Sequence, residues 1–168
     1  MQYLEAGKRH PVRFTLNGRG VEGEAEPRLL LSDFLRQHLG AFGTHVGCEH
    51  GSCGACTIRV EGKAVRSCLL YAVQVDGKAV ETVEGLATAD GLNDLQAAMR
   101  KHHGLQCGFC TPGILMSLSQ LYDEEPEADE GRIRDVLSGH ICRCTGYHGI
   151  VQAALEIFGR KSSENADV

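Results

Sequence analysis

The chain has 168 residues, 42% of them hydrophobic, and a formal charge of −5. That length suits one large domain or two small ones, and the apolar content is too high for disorder. Acidic residues are scattered and no basic face stands out, which argues against a nucleic-acid partner.

No apolar run approaches the roughly 18 residues of a membrane span. The opening residues 1–8 lack the apolar core of a signal peptide, so the chain is expected in the reducing cytoplasm. Val12, Phe14 and Leu16 alternate with polar neighbours, predicting a strand with one buried face. Asn17-Gly18 is a hairpin turn signal, with residues 21–25 as the returning strand. Gly18-Arg19-Gly20-Val21-Glu22-Gly23 matches a dinucleotide-binding fingerprint. That fingerprint requires a helix to begin at the loop. A strand and then Pro27 follow instead, so the run reads as a glycine-rich hairpin and no nucleotide is assigned.

Ser32 is expected to cap a short helix over 33–39, with Phe34, Leu35 and Leu39 facing the core and Gly40 as its stop. Residues 43–56 are dense in glycine and cysteine and show no period. Residues 57–60 and 64–67 flank Glu61-Gly62-Lys63 as a second hairpin, and 80–83 adds a strand. The first half thus reads as a compact α+β unit.

After Glu84 the period changes. Leu92, Leu95, Met99 and His102 recur at helical spacing until Gly104. Thr111-Pro112 reads as an N-cap with proline at the first helical position, and the helix continues through 114–122. Residues 123–131, acidic and containing Pro126, are expected as a solvated connection. Ile133, Val136 and Leu137 repeat the period before Gly139, and a last helix runs over 148–158. Four short helices suggest an antiparallel bundle, and the polar tail beyond Arg160 is expected to fray.

Eight cysteines stand in two quartets. The first is Cys48-x4-Cys53-x2-Cys56-x11-Cys68 and the second is Cys107-x2-Cys110-x31-Cys142-x1-Cys144. Four thiolates are what a [2Fe–2S] centre takes, and Cys-x4-Cys-x2-Cys is the plant-type ferredoxin spacing. In a reducing compartment such spacing points to metal or redox chemistry rather than to structural disulfides. Glycines at 43, 47, 51 and 54 thread the first ligand loop and allow the backbone to close around a small inorganic core. Its exposed N–H groups can then point at the sulfurs.

Zinc is the rival metal, because Cys-x2-Cys with a second pair also describes a structural zinc site. The first quartet disfavours zinc, whereas the second taken alone fits either. A Rieske centre would replace two cysteines by histidines. With all four cysteines present, His45 and His50 read as surface or supporting residues. Arg143, between two candidate ligands, either adds a cation beside the thiolates or points to solvent.

Both quartets, in this order and spacing, resemble the iron–sulfur subunit of the molybdenum hydroxylases, the xanthine oxidase family. The matching stretches are 47–56 (GCEHGSCGAC), 66–68 (RSC), 104–113 (GLQCGFCTPG) and 141–147 (ICRCTGY). The resemblance covers nearly the whole chain.

The resemblance implies a ferredoxin-like β-grasp domain over 1–85, a four-helix-bundle domain over 86–160 and a polar tail at 161–168. One [2Fe–2S] cluster is expected in each domain. Cys48, Cys53, Cys56 and Cys68 would hold the first, and Cys107, Cys110, Cys142 and Cys144 the second. Gln106 and Cys144 are the positions that approach the molybdenum–pterin cofactor in relatives. A chain of this length has room for neither a flavin domain nor molybdenum domains.

It is therefore expected to be a small, non-catalytic subunit of an oxidoreductase, partnered by a molybdenum-binding large subunit and an FAD-binding medium subunit, in a dimer of heterotrimers. Electrons would pass from the pterin centre through the two clusters to FAD. The substrate of the complex is expected to be an N-heteroaromatic compound, with carbon monoxide or an aldehyde as the alternative. A zinc-stabilised interaction module and a free-standing ferredoxin are the competing classes.

Overall fold

The structure is a computed structural model describing residues 4–89 and 91–158. It opens with the hairpin of β1 (His10–Leu16) and β2 (Arg19–Ala25). Val12 and Phe14 are buried while Pro11, Arg13 and Thr15 face solvent, the alternation of a strand with one face on a core. Asn17 and Gly18 both take positive φ, 51° and 76°, as the two-residue turn matching strand twist requires.

The expected helix at 33–39 is interrupted. A single turn, α1 (Leu31–Asp33), runs into a π-helical turn over Phe34–His38. Leu30 occupies the cap position, and Ser32 is the second helical residue, its hydroxyl buried and without a protein partner. Ser32 is therefore no cap. Phe34 and Leu35 are fully buried, and seating both bulky side chains on the sheet accompanies the widened turn. Leu39 is partly buried against that core, and Gly40 turns the chain out at φ +70°.

β3 (Thr57–Val60) and β4 (Lys63–Arg66) form the second hairpin, and β5 (Ala79–Glu81) lies in the middle. The sheet order is β2-β1-β5-β3-β4. β1 and β5 are parallel and the remaining neighbours antiparallel. β5 stops at Glu81, short of the Val83 expected from the sequence, because Val83–Gly85 coils into a 3-10 turn. Cys68 likewise sits in a 3-10 turn over Ser67–Leu69.

The second half contains α2 (Asp94–Lys101), α3 (Thr111–Glu124), α4 (Glu130–Ser138) and α5 (His148–Phe158). Leu92 lies ahead of α2 and is half exposed rather than in its apolar face. Asn93 is the cap instead, its side chain accepting from Gln96 N at 2.8 Å while Gln96 Oε1 accepts from Asn93 N at 3.0 Å. Thr111 is the first residue of α3, not its cap, and its hydroxyl is buried without a protein partner. The solvated connection shrinks to 125–129, where Asp129 caps α4 by accepting from Arg132 N at 2.8 Å. The tail expected to fray lies outside the described residues.

Each half has its own apolar core. Val12, Phe14, Leu31, Phe34, Leu35, Ile58 and Val80 make up the first. Residues from all four helices, with Cys110 and Cys142 among them, make up the second. α3 joins the halves by lying across β3. Gly113 on α3 meets the Gly54 carbonyl so closely that any Cβ there would collide with it. Gln120 Oε1 accepts from Ala64 N at 2.5 Å, Lys63 pairs with Glu124 at 2.5 Å, and Arg59 pairs with Asp123 at 2.8 Å. No helix among the described residues is long and apolar enough to cross a membrane.

Candidate metal centres

The loop carrying Cys48, Cys53 and Cys56 is pinned at both ends. Arg36 donates to the carbonyls of Phe42 and Thr44 at 2.8 and 2.9 Å, and Gly43 N donates to Glu84 Oε1 at 2.7 Å. At its far end Gly54 has φ +78°, and a Cβ there would meet His140 Nδ1 at 2.5 Å and the Gly139 carbonyl at 2.7 Å. Glycine is required at that position on both counts. β4 and its 3-10 turn bring Cys68 back to this loop, with Ser67 N donating to the Cys56 carbonyl at 3.2 Å.

All eight cysteines are free thiols, and they meet in twos. In the first quartet Cys48 faces Cys53 and Cys56 faces Cys68. In the second, Cys110 faces Cys142 and Cys107 faces Cys144. Among the described residues no group of three His, Cys, Asp or Glu side chains is gathered as for a single ion. Pairs of thiols fit a core with two irons, each taking two protein ligands. They suit a single tetrahedral zinc with four thiolates less well.

The electrostatics of the pairs differ. Cys56, Cys68, Cys110 and Cys142 are buried, whereas Cys48 and Cys53 are partly exposed and Cys107 and Cys144 exposed. Burial and the adjacent Cys56 push the Cys68 thiol up to about 11. Burial and Cys142 push Cys110 up to about 12. Cys48 is drawn down to about 6, first by the Cys53 N–H, which lies 3.3 Å from its sulfur. For Cys142 burial opposes ionisation, but Thr145, with its hydroxyl 3.0 Å from the sulfur, and nearby backbone donors carry the net shift downward. Cys144 is raised, first by its contact with Cys107. Each quartet thus joins a desolvated pair to a pair facing outward.

The two ligand regions touch. Ile141 N donates to the Cys53 carbonyl at 2.9 Å, and His45 Nδ1–H donates to the Phe109 carbonyl at 2.8 Å while its ring stacks on Phe109. His50 hydrogen-bonds the Cys48 carbonyl within its own loop. Gln106 and Arg143 are both exposed on the second region.

Several residues that build the site carry no signal of their own in the sequence. His140 is 2% exposed, wedged between Gly54 and Ser117, with Ser117 Oγ 2.8 Å from its Nε2. Burial, assisted by the Arg66 cation, pulls it down to about 4, so it is neutral. Tyr147 O–H donates to the His140 carbonyl at 2.8 Å and accepts from Cys142 N at 2.7 Å. Arg66 donates to Thr57 Oγ1 and, at 2.6 Å, to the Gly139 carbonyl. These are contacts across loops, which no local spacing announces.

Two family models match the chain. Residues 14–87 match the 2Fe-2S iron-sulfur cluster binding domain and residues 82–155 match the [2Fe-2S] binding domain. The chain is 50% identical over 147 residues to caffeine dehydrogenase subunit gamma of Pseudomonas sp. (strain CBB1), covering 86% of this chain and 88% of that one. It is 47% identical over 151 residues to the nicotine 6-hydroxylase small subunit of Paenarthrobacter nicotinovorans, covering 89% and 90%. Its fold is similar to a chain of the crystal structure of quinoline 2-oxidoreductase from Pseudomonas putida 86. There the TM-score is 0.88 at 42% identity, with 95% of this chain and 99% of that one covered.

Proposed function

The chain belongs to the iron–sulfur small subunits of the molybdenum hydroxylase family, and on that premise we propose that it holds two [2Fe–2S] clusters as the electron relay of such an enzyme. The carrying observation is that both cysteine quartets close into two pairs of thiols on adjoining loops. Cys48 with Cys53, and Cys56 with Cys68, would hold the irons of the first cluster. Cys107 with Cys144, and Cys110 with Cys142, would hold those of the second. When bound, each cluster takes up and gives back single electrons.

The protein's part is to set how readily charge resides there. Cys53 N–H at the Cys48 sulfur and the Thr145 hydroxyl at that of Cys142 stabilise thiolate charge. The buried pairs exclude water, and the outward pairs offer an edge to a neighbouring group. Gln106 and Cys144 lie on the outward edge of the second quartet, where an amide could both donate to and accept from a pterin. The first quartet would then face FAD.

The domains divide at residue 85, and the helical part is a four-helix bundle; its expected end at residue 160 and the tail at 161–168 lie outside the described residues. The partners are a molybdenum-binding large subunit and an FAD-binding medium subunit, arranged as a dimer of heterotrimers in the cytoplasm. Catalysis belongs to those partners. The substrate class is N-heteroaromatic rather than carbon monoxide or an aldehyde. Relatives named for caffeine, nicotine and quinoline support that choice.

Purified with its partners, the chain is expected to carry about four irons and, once reduced, to show two distinct paramagnetic signals. Colourless protein containing zinc in place of iron would overturn the proposal.

A further inference from the structure

The second quartet comes from two segments, 107–110 and 142–144, which the sequence separates by 31 residues. Both segments rest on the loop of the first quartet. The segment that begins at Cys142 is tied by the preceding Ile141 N–H to the Cys53 carbonyl at 2.9 Å. The segment between Cys107 and Cys110 is tied at Phe109, whose carbonyl accepts from His45 Nδ1–H at 2.8 Å.

The His45 and Phe109 rings stack, with centroids 4.9 Å apart and planes 18° apart. The absence of a side chain on Gly47 leaves room for Phe109, since a Cβ there would stand 3.3 Å from its Cε1. Phe109 is nevertheless 47% exposed, so His45 is a main restraint on a residue that nothing encloses.

The Phe109 carbonyl and the Cys110 N–H belong to one rigid peptide plane. Fixing the carbonyl fixes the peptide that leads directly into Cys110, a candidate ligand of the second centre. We infer that His45, a residue of the first ligand loop, is a positioning residue for the second metal centre: through the Phe109 carbonyl and the stacked ring it holds in place the peptide that carries Cys110. The inference rests on the two-cluster function proposed above. Potentials of such centres depend on the surroundings and exposure of their sulfurs, so freeing this peptide shifts the potential of the second centre and leaves the first where it was.

The test compares His45→Phe, which keeps a ring and loses the donor, with His45→Asn, which keeps an N–H donor and loses the ring. Redox titration followed by electron paramagnetic resonance on the assembled complex reads both centres separately. His45→Phe is expected to shift the second signal and its midpoint, His45→Asn to lie closer to the parent protein, and the first signal to stay unchanged in both. An unmoved second centre in both variants, or equal displacement of the two centres, overturns the inference.

Phe109→Leu removes the stack from the other side and keeps the carbonyl that accepts from His45. It is expected to displace the second signal less than His45→Phe does, and a larger displacement than in His45→Phe overturns the role given to the hydrogen bond. Parent protein lacking a pair of paramagnetic centres removes the proposed function itself, whereas parent protein with both centres and insensitive variants removes only this inference.

Discussion

At the residue scale, side-chain chemistry at a few positions is set by neighbours distant in sequence. Gly54 combines φ +78° with a carbonyl and an imidazole where a Cβ would go. Gly54→Ala must adopt a left-handed conformation, at about 1–2 kcal/mol, and push apart the two halves, at about 1–3 kcal/mol more. Thermal unfolding is expected to show a loss of about 2–5 kcal/mol. A change under 1 kcal/mol would mean that the loop and His140 separate freely.

Ser32 and Thr111 teach the complementary lesson. Both have the right residue type ahead of an apolar period, yet packing carries their hydroxyls into buried positions without a protein partner. Local cap chemistry loses there to burial of Leu31, Phe34, Leu35 and Ile114.

At the scale of elements, the first hairpin and α5 sit where the periodicity puts them, β1 and β2 around Asn17-Gly18 and α5 over His148–Phe158. Strong alternation and a continuous apolar stripe need no help from the rest of the chain. α2 is shorter than its spacing suggests and has a different start, because Asn93 caps it and Leu92 lies outside. Its reciprocal cap with Gln96 satisfies two backbone donors that would otherwise be orphaned.

Asn93→Ala is expected to cost about 1 kcal/mol, read as a lower denaturation midpoint with the iron signals unchanged. Loss of the second signal in that variant would show that α2 is coupled to the ligand loops rather than merely packed on α5. α3 carries a heavier duty, since one face enters the helical core while Gly113 meets the first ligand loop and Gln120, Asp123 and Glu124 meet the sheet.

At the scale of the whole molecule, two apolar cores meet along the seam between α3 and β3, and both ligand regions lie at that seam. Cys110 and Cys142 are members of the helical core itself, so metal held there would cross-link segments the chain does not otherwise connect. Binding to the folded form alone stabilises it. Extraction of iron is expected to lower the melting temperature by on the order of 10 °C. Equal melting temperatures with and without iron would show that the two cores suffice and that the sites are passive.

From its residues the chain dictates that two four-thiol sites exist, that a β-rich half precedes a helical one, and that a glycine-rich loop wraps the first quartet. Spacing and period are local properties, and they survive in any context. Which thiols face each other was left to the fold. In the first quartet the pairs follow chain order, but in the second Cys107 meets Cys144 and Cys110 meets Cys142 across two loops. The seating of His140, the clash-free approach of Gly113 to Gly54 and the reach of His45 to Phe109 were also decided only in three dimensions. Each depends on where α3 lies on β3, and that is set by long-range packing that no window of sequence contains.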